Sequence, residues 1–177
     1  SYFLNGQNTL SRFPLTGMLS QDDVLQSNGT TLISSEVITN VVTTLDNTTN
    51  NKRLFPHPSN SSTTRYEVGG TKNGLTSSLT AVVYTFDTSG NATTVATTTK
   101  DTDAGSPYVN QIWGSTTTRT IVPNTANWCL GLPTQVQVVN TAPGVPALTR
   151  TVSYTPDYVS CREAQQVVEP QKNSRRG

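Results

Sequence analysis

The sequence reads as all-β, folded as a meandering antiparallel sheet of hairpins. Three observations carry that expectation. Apolar residues alternate or cluster in short β-branched and aromatic runs, helical periodicity is nearly absent, and turn residues recur every 10–15 residues. The first signal is Val24-Leu25 followed by Ser27-Asn28-Gly29, where Asn-Gly suits the positive φ of a type I′ hairpin turn. Residues 30–45 (TTLISSEVITNVVTTL) predict a long strand, or two broken near Ser34-Ser35. Residues 46–64 are polar and carry Pro56 and Pro58, which predicts a loop. Residues 78–87 predict a strand with Val82, Tyr84 and Phe86 on one face and Ala81, Val83 and Thr85 on the other. Thr88-Ser89-Gly90-Asn91 turns the chain into a Thr-rich strand over 92–100 with one solvated face. Further strands are expected at 108–122, 133–140, 148–154 and 165–169. They are separated by Pro123-Asn124, Gly131, Pro143-Gly144 and Pro146. Only residues 161–166 (CREAQQ) have a helix-forming composition.

Composition narrows the function classes. Of 177 residues, 33% are apolar and 13% charged, below the usual roughly 45–50% and 25%. Threonine supplies about one residue in six. A formal net charge of +1 gives no electrostatic footprint for nucleic acid or an anionic membrane. No apolar run reaches the length of a membrane span, and no apolar leader opens the sequence. An uncharged, Thr-rich chain punctuated by Gly and Pro predicts extracellular β-structure. Residues 1–171 form one β segment in this reading, with 172–177 a basic, solvated tail; a protease site at Arg175-Arg176 is the sharper alternative.

Candidate chemistry is sparse. Cys129 and Cys161 are the only cysteines. They either form a disulfide closing a loop of about 33 residues, worth roughly 3.5–4 kcal/mol in the chain-entropy model, or stay separate as small buried hydrophobes. The one histidine, His57, lies between two prolines and reads as a plain loop residue, too isolated for a zinc site, a hydrolase triad or cysteine catalysis. Acids are scattered at turns such as Asp22-Asp23, with no pair assignable to glycoside hydrolysis. Asp101 and Asp103 before Gly105 resemble the start of a calcium loop, but Gly105 and Ile112 stand where oxygen ligands are required. A solvated turn is the expectation there, with no cofactor and no metal. Asn-x-Ser/Thr sequons at Asn28, Asn47, Asn60 and Asn91 are expected by chance in so Asn- and Thr-rich a chain.

The hairpin Tyr84-Thr-Phe86-Asp87-Thr-Ser-Gly90-Asn91 has the form Y-x-[FY]-D-x-x-G-N. It resembles the YD repeat of the Rhs family, which includes B components of insecticidal toxin complexes and the teneurins. The segments Arg12-Phe13-Pro14-Leu15-Thr16-Gly17, Gln26 to Ile33, Tyr66-Glu67-Val68-Gly69-Gly70, Asn127 to Thr134, Thr141-Ala142-Pro143-Gly144 and Val167-Val168-Glu169-Pro170 resemble large bacterial Rhs proteins in the same order. Independently of the resemblance, Asp87 can accept from backbone amides two residues on, and Gly90 supplies the positive φ. Tyr84 and Phe86 offer apolar faces to cross-strand neighbours. Trp128 reads as a packing anchor ahead of a bend at Gly131. Tyr154-Thr-Pro156-Asp157 departs from the pattern, with Pro156 at a strand position and no glycine after Asp157.

The resemblance implies a curved segment of a larger β-shell that encloses a C-terminal toxin domain. The self-cleaving Asp-Pro-x-Gly core of that family is not in this sequence, and neither is a toxin domain. A non-catalytic wall segment is therefore expected, secreted or on a bacterial surface, with neighbouring repeats of the same chain and the enclosed toxin as partners. The competing reading is an extracellular β-sandwich that binds glycans or a cell surface through Trp113, Tyr108 or Tyr158.

Overall fold

The structure is a computed structural model describing residues 13–46 and 53–168. The basic tail 172–177, the sequon at Asn47, Arg12 and Glu169-Pro170 lie outside those residues. Nine strands account for most of the fold: β1 Gln21–Leu25, β2 Leu32–Asp46, β3 Arg53–Tyr66, β4 Thr76–Phe86, β5 Ala92–Asp101, β6 Ile112–Ile121, β7 Pro133–Ala142, β8 Val145–Asp157 and β9 Arg162–Val168. They follow one another in a single sheet in chain order, as an antiparallel meander. The expected fold class is thus observed.

Several local expectations change. Of the two alternatives for residues 30–45 the single long strand is the one formed, as β2 from Leu32 to Asp46. Residues 108–111 precede β6 as a turn, and β8 begins at Val145 rather than 148. The helix-forming composition at 161–166 is overridden, because its register against β8 makes it a strand. At Asn28-Gly29 positive φ is confined to Gly29 (69°). The Gly29 N–H donates to the Gln26 carbonyl at 2.9 Å. A type I′ turn would need positive φ at both central residues, so this hairpin closes differently.

The largest correction concerns 46–64, expected as a polar loop. From Arg53 onward it is β3. Its prolines misled because strand propensity averages over both edges of a strand. Pro56 and Pro58 pair with Val42 and Asn40 of β2, whereas β4 pairs with β3 only from Asn60 onward. Over residues 53–59 one edge of β3 thus carries no partner strand among the described residues, and a proline whose nitrogen faces that edge removes no ladder hydrogen bond. β8 repeats the arrangement. Pro146 lies where only β7 pairs, and Pro156 lies where only β9 pairs.

The chain divides into two compact units. One holds the described residues up to Tyr84 together with Thr97–Trp113. In it, Ile38, Ser61 and Val82 form one cross-strand row, and Val37, Ser62 and Ala81 the next, on the opposite face. The first row's face carries the half-buried Val82 and Tyr84, as the alternation predicts. It also carries Asn40, whose amide donates to the Leu19 carbonyl at 2.7 Å. The second face leaves Val37, Leu79 and Val83 exposed.

The other unit holds Thr85–Ala96 and the described residues from Gly114 on. Arg119, Val136, Val152 and Val168 make a continuous row across β6 to β9. Among the described residues of the whole chain, only Leu15 and Cys129 are buried apolar side chains, and Asn40 and Ser61 are the buried polar ones. The hydrogen-bonded ladder, rather than a packed interior, dominates the internal contacts.

Candidate functional site

The Y-x-[FY]-D-x-x-G-N hairpin folds as its residues require. Asp87 Oδ1 accepts from the Ser89 and Asn91 backbone N–H groups at 2.8 and 2.9 Å, and Oδ2 accepts from the Asn91 side chain at 2.8 Å. The Gly90 N–H donates to the Asp87 carbonyl at 3.1 Å, and Gly90 takes φ 87°. Burial of Asp87 acts to raise its pKa, but the hydrogen bonds from Asn91, Ser89 and Gly90 outweigh it and hold the carboxyl below its ordinary value.

Asn91 does more than close the turn. Its side-chain amide also donates to the Leu130 carbonyl at 2.8 Å. A Cβ added to Gly131 would stand 2.8 Å from Asn91 Oδ1. Gly131 is therefore needed for close approach rather than for a left-handed bend. The turn at β4–β5 is thereby pinned to the segment leading into β7. Sequence reading named both residues but missed their contact, which no local pattern encodes.

The β8–β9 hairpin forms without the glycine of the first. Asp157 Oδ1 accepts from the Val159 N–H at 2.9 Å, and Oδ2 accepts from the Ser160 hydroxyl at 2.5 Å. Those bonds, the Ser160 hydroxyl first, lower the Asp157 pKa. The positive φ falls on Cys161 (53°), and Cys161 forms a disulfide with Cys129, with the Cα atoms 5.4 Å apart. The two cysteines thus pair rather than remain separate thiols. Cys129 is buried (3% exposed) at the end of a tight turn whose Asn124 and Cys129 exchange backbone hydrogen bonds at 2.9 and 3.0 Å. The Tyr158 hydroxyl donates to the Val122 carbonyl at 3.0 Å, tying the two turns further.

Trp128 is not a packing anchor. It takes φ 57° and is 73% exposed. The left-handed conformation belongs to the turn that buries its neighbour Cys129, so the indole is turned to solvent.

In the first unit, Glu67, Ser77, Thr99, Asp101, Asp103, Ser106 and Trp113 line an open cleft of about 320 Å³. Trp113 meets Tyr108 edge-on, with ring centroids 6.2 Å apart. Asp103 accepts from Lys72 Nζ with both oxygens at 2.8 Å. That contact first, then the Gly105 N–H, lowers the Asp103 pKa, and it raises that of Lys72. Asp101 accepts from the Asp103 N–H at 2.9 Å and from the Ser106 hydroxyl at 2.5 Å. The two acids of the calcium-like sequence are thus engaged by a lysine, a serine and backbone. No group of three or more His, Cys, Asp or Glu side chains able to hold a metal occurs among the described residues.

His57, expected in a loop, lies on β3. Its Nε2 is 2.9 Å from the Thr43 hydroxyl and its Nδ1 3.0 Å from the Pro58 carbonyl. The ring stacks on Phe55 at 4.6 Å. A cross-strand hydrogen bond and a stacked ring give it a place in the sheet.

No helix among the described residues is long and apolar enough to cross a membrane. Neither a family model nor a curated protein matches the chain. Among solved structures, "Crystal Structure of TcdB2-TccC3-Cdc42" is similar in fold, with a TM-score of 0.59 and 12% sequence identity over 81% of this chain and 9% of that one. The chain spans less than a tenth of that neighbour's length. At such low identity the likeness is one of fold.

Proposed function

We propose that this chain is a non-catalytic wall segment of a β-shell that carries a toxin domain. One observation carries the reading: a nine-stranded sheet whose only buried apolar side chains, among the described residues, are Leu15 and Cys129. A sheet that buries so little against itself has its stabilising role in the ladder, and its apolar faces remain available to cover something else. Val24, Leu25, Val37 and Val83 are each more than 40% exposed. The likeness in fold to the TcdB2-TccC3-Cdc42 structure supports the reading, alongside the Rhs-like hairpin and segments of the sequence. In this reading β1 and β9, each paired on one side only among the described residues, join neighbouring repeats of a longer chain. The protein acts outside the producing cell or at its surface. The test is limited proteolysis of the complete gene product containing this chain. Cargo protected until the shell is denatured supports the role; cargo cut as fast as a free domain overturns it.

A second reading rests on the cleft that brings Trp113, whose ring Tyr108 meets edge-on, beside acids and hydroxyls. An aromatic wall with hydrogen-bonding groups fits a saccharide ring. Among the described residues the strands follow one another in one sheet, and this reading stands on the cleft alone. Glycan-array binding lost on Trp113→Ala supports it, and no binding above background rejects it.

A further inference from the structure

We propose that the Cys129–Cys161 disulfide is a redox latch that holds β9 on the sheet. Every residue of β9 is exposed, and among the described residues the strand pairs only with β8. No buried side chain secures it, so its ladder is of the kind that opens locally at low free energy. The covalent tie at its first turn supplies what packing does not.

The two ends of the tie differ. Cys129 is buried in a turn closed by two backbone hydrogen bonds and by the Asn127 N–H donating to Asn124 Oδ1 at 3.0 Å. Cys161 is exposed and holds the left-handed conformation that Gly90 holds in the β4–β5 hairpin. A non-glycine residue is disfavoured in that region. The β4–β5 turn is thus closed by a residue that adopts this conformation freely. The β8–β9 turn is closed by one tethered there by a reversible bond.

Exposure directs the chemistry. The thiolate of a dithiol attacks Cys161 Sγ, forming a mixed disulfide, and Cys129 leaves as a thiolate that takes up a proton. The reductant's second thiolate then attacks its own sulfur of the mixed disulfide. This releases Cys161 as a thiolate, which is also protonated, while the reductant closes to a disulfide. Two electrons and two protons pass to the protein. Freed of the tether, Cys161 leaves its left-handed conformation and β9 separates from β8, while Cys129 keeps its turn. In the shell reading the free edge of β9 pairs with the next repeat, so in a carrier moving from an oxidising to a reducing compartment reduction would loosen the β8–β9 seam; that consequence alone rests on the shell reading.

Hydrogen exchange of the 177-residue chain with and without dithiothreitol tests the latch. The expected result is at least a ten-fold loss of protection over 154–157 and 162–168 on reduction, with 114–121 and 135–139 unchanged. In the double variant Cys129→Ser, Cys161→Gly, glycine restores the free left-handed residue and protection becomes independent of reductant. Unchanged protection of 162–168 on reduction overturns the latch. So does equal loss over β6 to β9, which would make the disulfide a general staple.

Discussion

The side-chain oxygen of Asn91 stands 2.8 Å from the position a Cβ on Gly131 would occupy, while the same side chain's amide donates to Leu130 at 2.8 Å. The β4–β5 turn thus has a partner outside the hairpin. Gly131→Ala should destabilise the chain by about 1–3 kcal/mol, as overpacking does. In an Asn91→Ala background the cost should shrink, giving a coupling of about 0.5–3 kcal/mol. Urea denaturation of the four proteins of the cycle measures it.

Asp87 supplies three hydrogen-bond acceptances to its own turn. Asp87→Ala should cost about 1 kcal/mol, discounted from the charged-bond range for partial exposure. Asp87→Asn, which keeps an acceptor oxygen, should cost less. Thermal denaturation ranks the two.

Proline placement gives a sharper contrast. Pro56→Thr should be tolerated, because that stretch of β3 is paired with β2 alone. Thr63 pairs with both Glu36 and Thr80, so Thr63→Pro should destabilise strongly, by at least the roughly 1–3 kcal/mol of an unsatisfied buried group. Soluble yield and denaturation midpoint distinguish them.

How much of this was legible follows from the range of each interaction. The Asp87 turn bonds and the positive φ of Gly90 are legible because turn closure is local, and so is the half-burial of Tyr84 and Phe86, since alternation is local. The strand at β3 was not, since Pro56 and Pro58 signal a break unless the missing partner on one edge is known. Trp128 was misread for the same reason. An aromatic residue before a bend usually packs, but the positive φ that exposes it is set by the burial of Cys129. Trp128→Ala should accordingly change stability by no more than about 0.5 kcal/mol, against roughly 3–5 for a buried tryptophan.

The lowered pKa values of Asp23, Asp87, Asp103 and Asp157 set the acid response. A carboxyl whose folded pKa lies below the unfolded value of about 3.9 contributes stability that is present above that value. The contribution is lost as pH falls through the folded pKa. Stability should therefore be flat from pH 7 to about 5 and decline below about 4, with the Asp87 and Asp157 turns loosening as their carboxyls protonate. Amide exchange at Ser89, Asn91 and Val159 against pH follows it.

The most direct measurement is a cryo-EM structure of the complete polypeptide encoded by the gene containing this chain. The shell reading predicts that strands continue beyond β1 and β9 and that Val37, Leu79 and Val83, exposed here, face an enclosed chamber or its contents. A structure in which the nine strands stand without flanking repeats, or fold against a second sheet of the same domain, would contradict it.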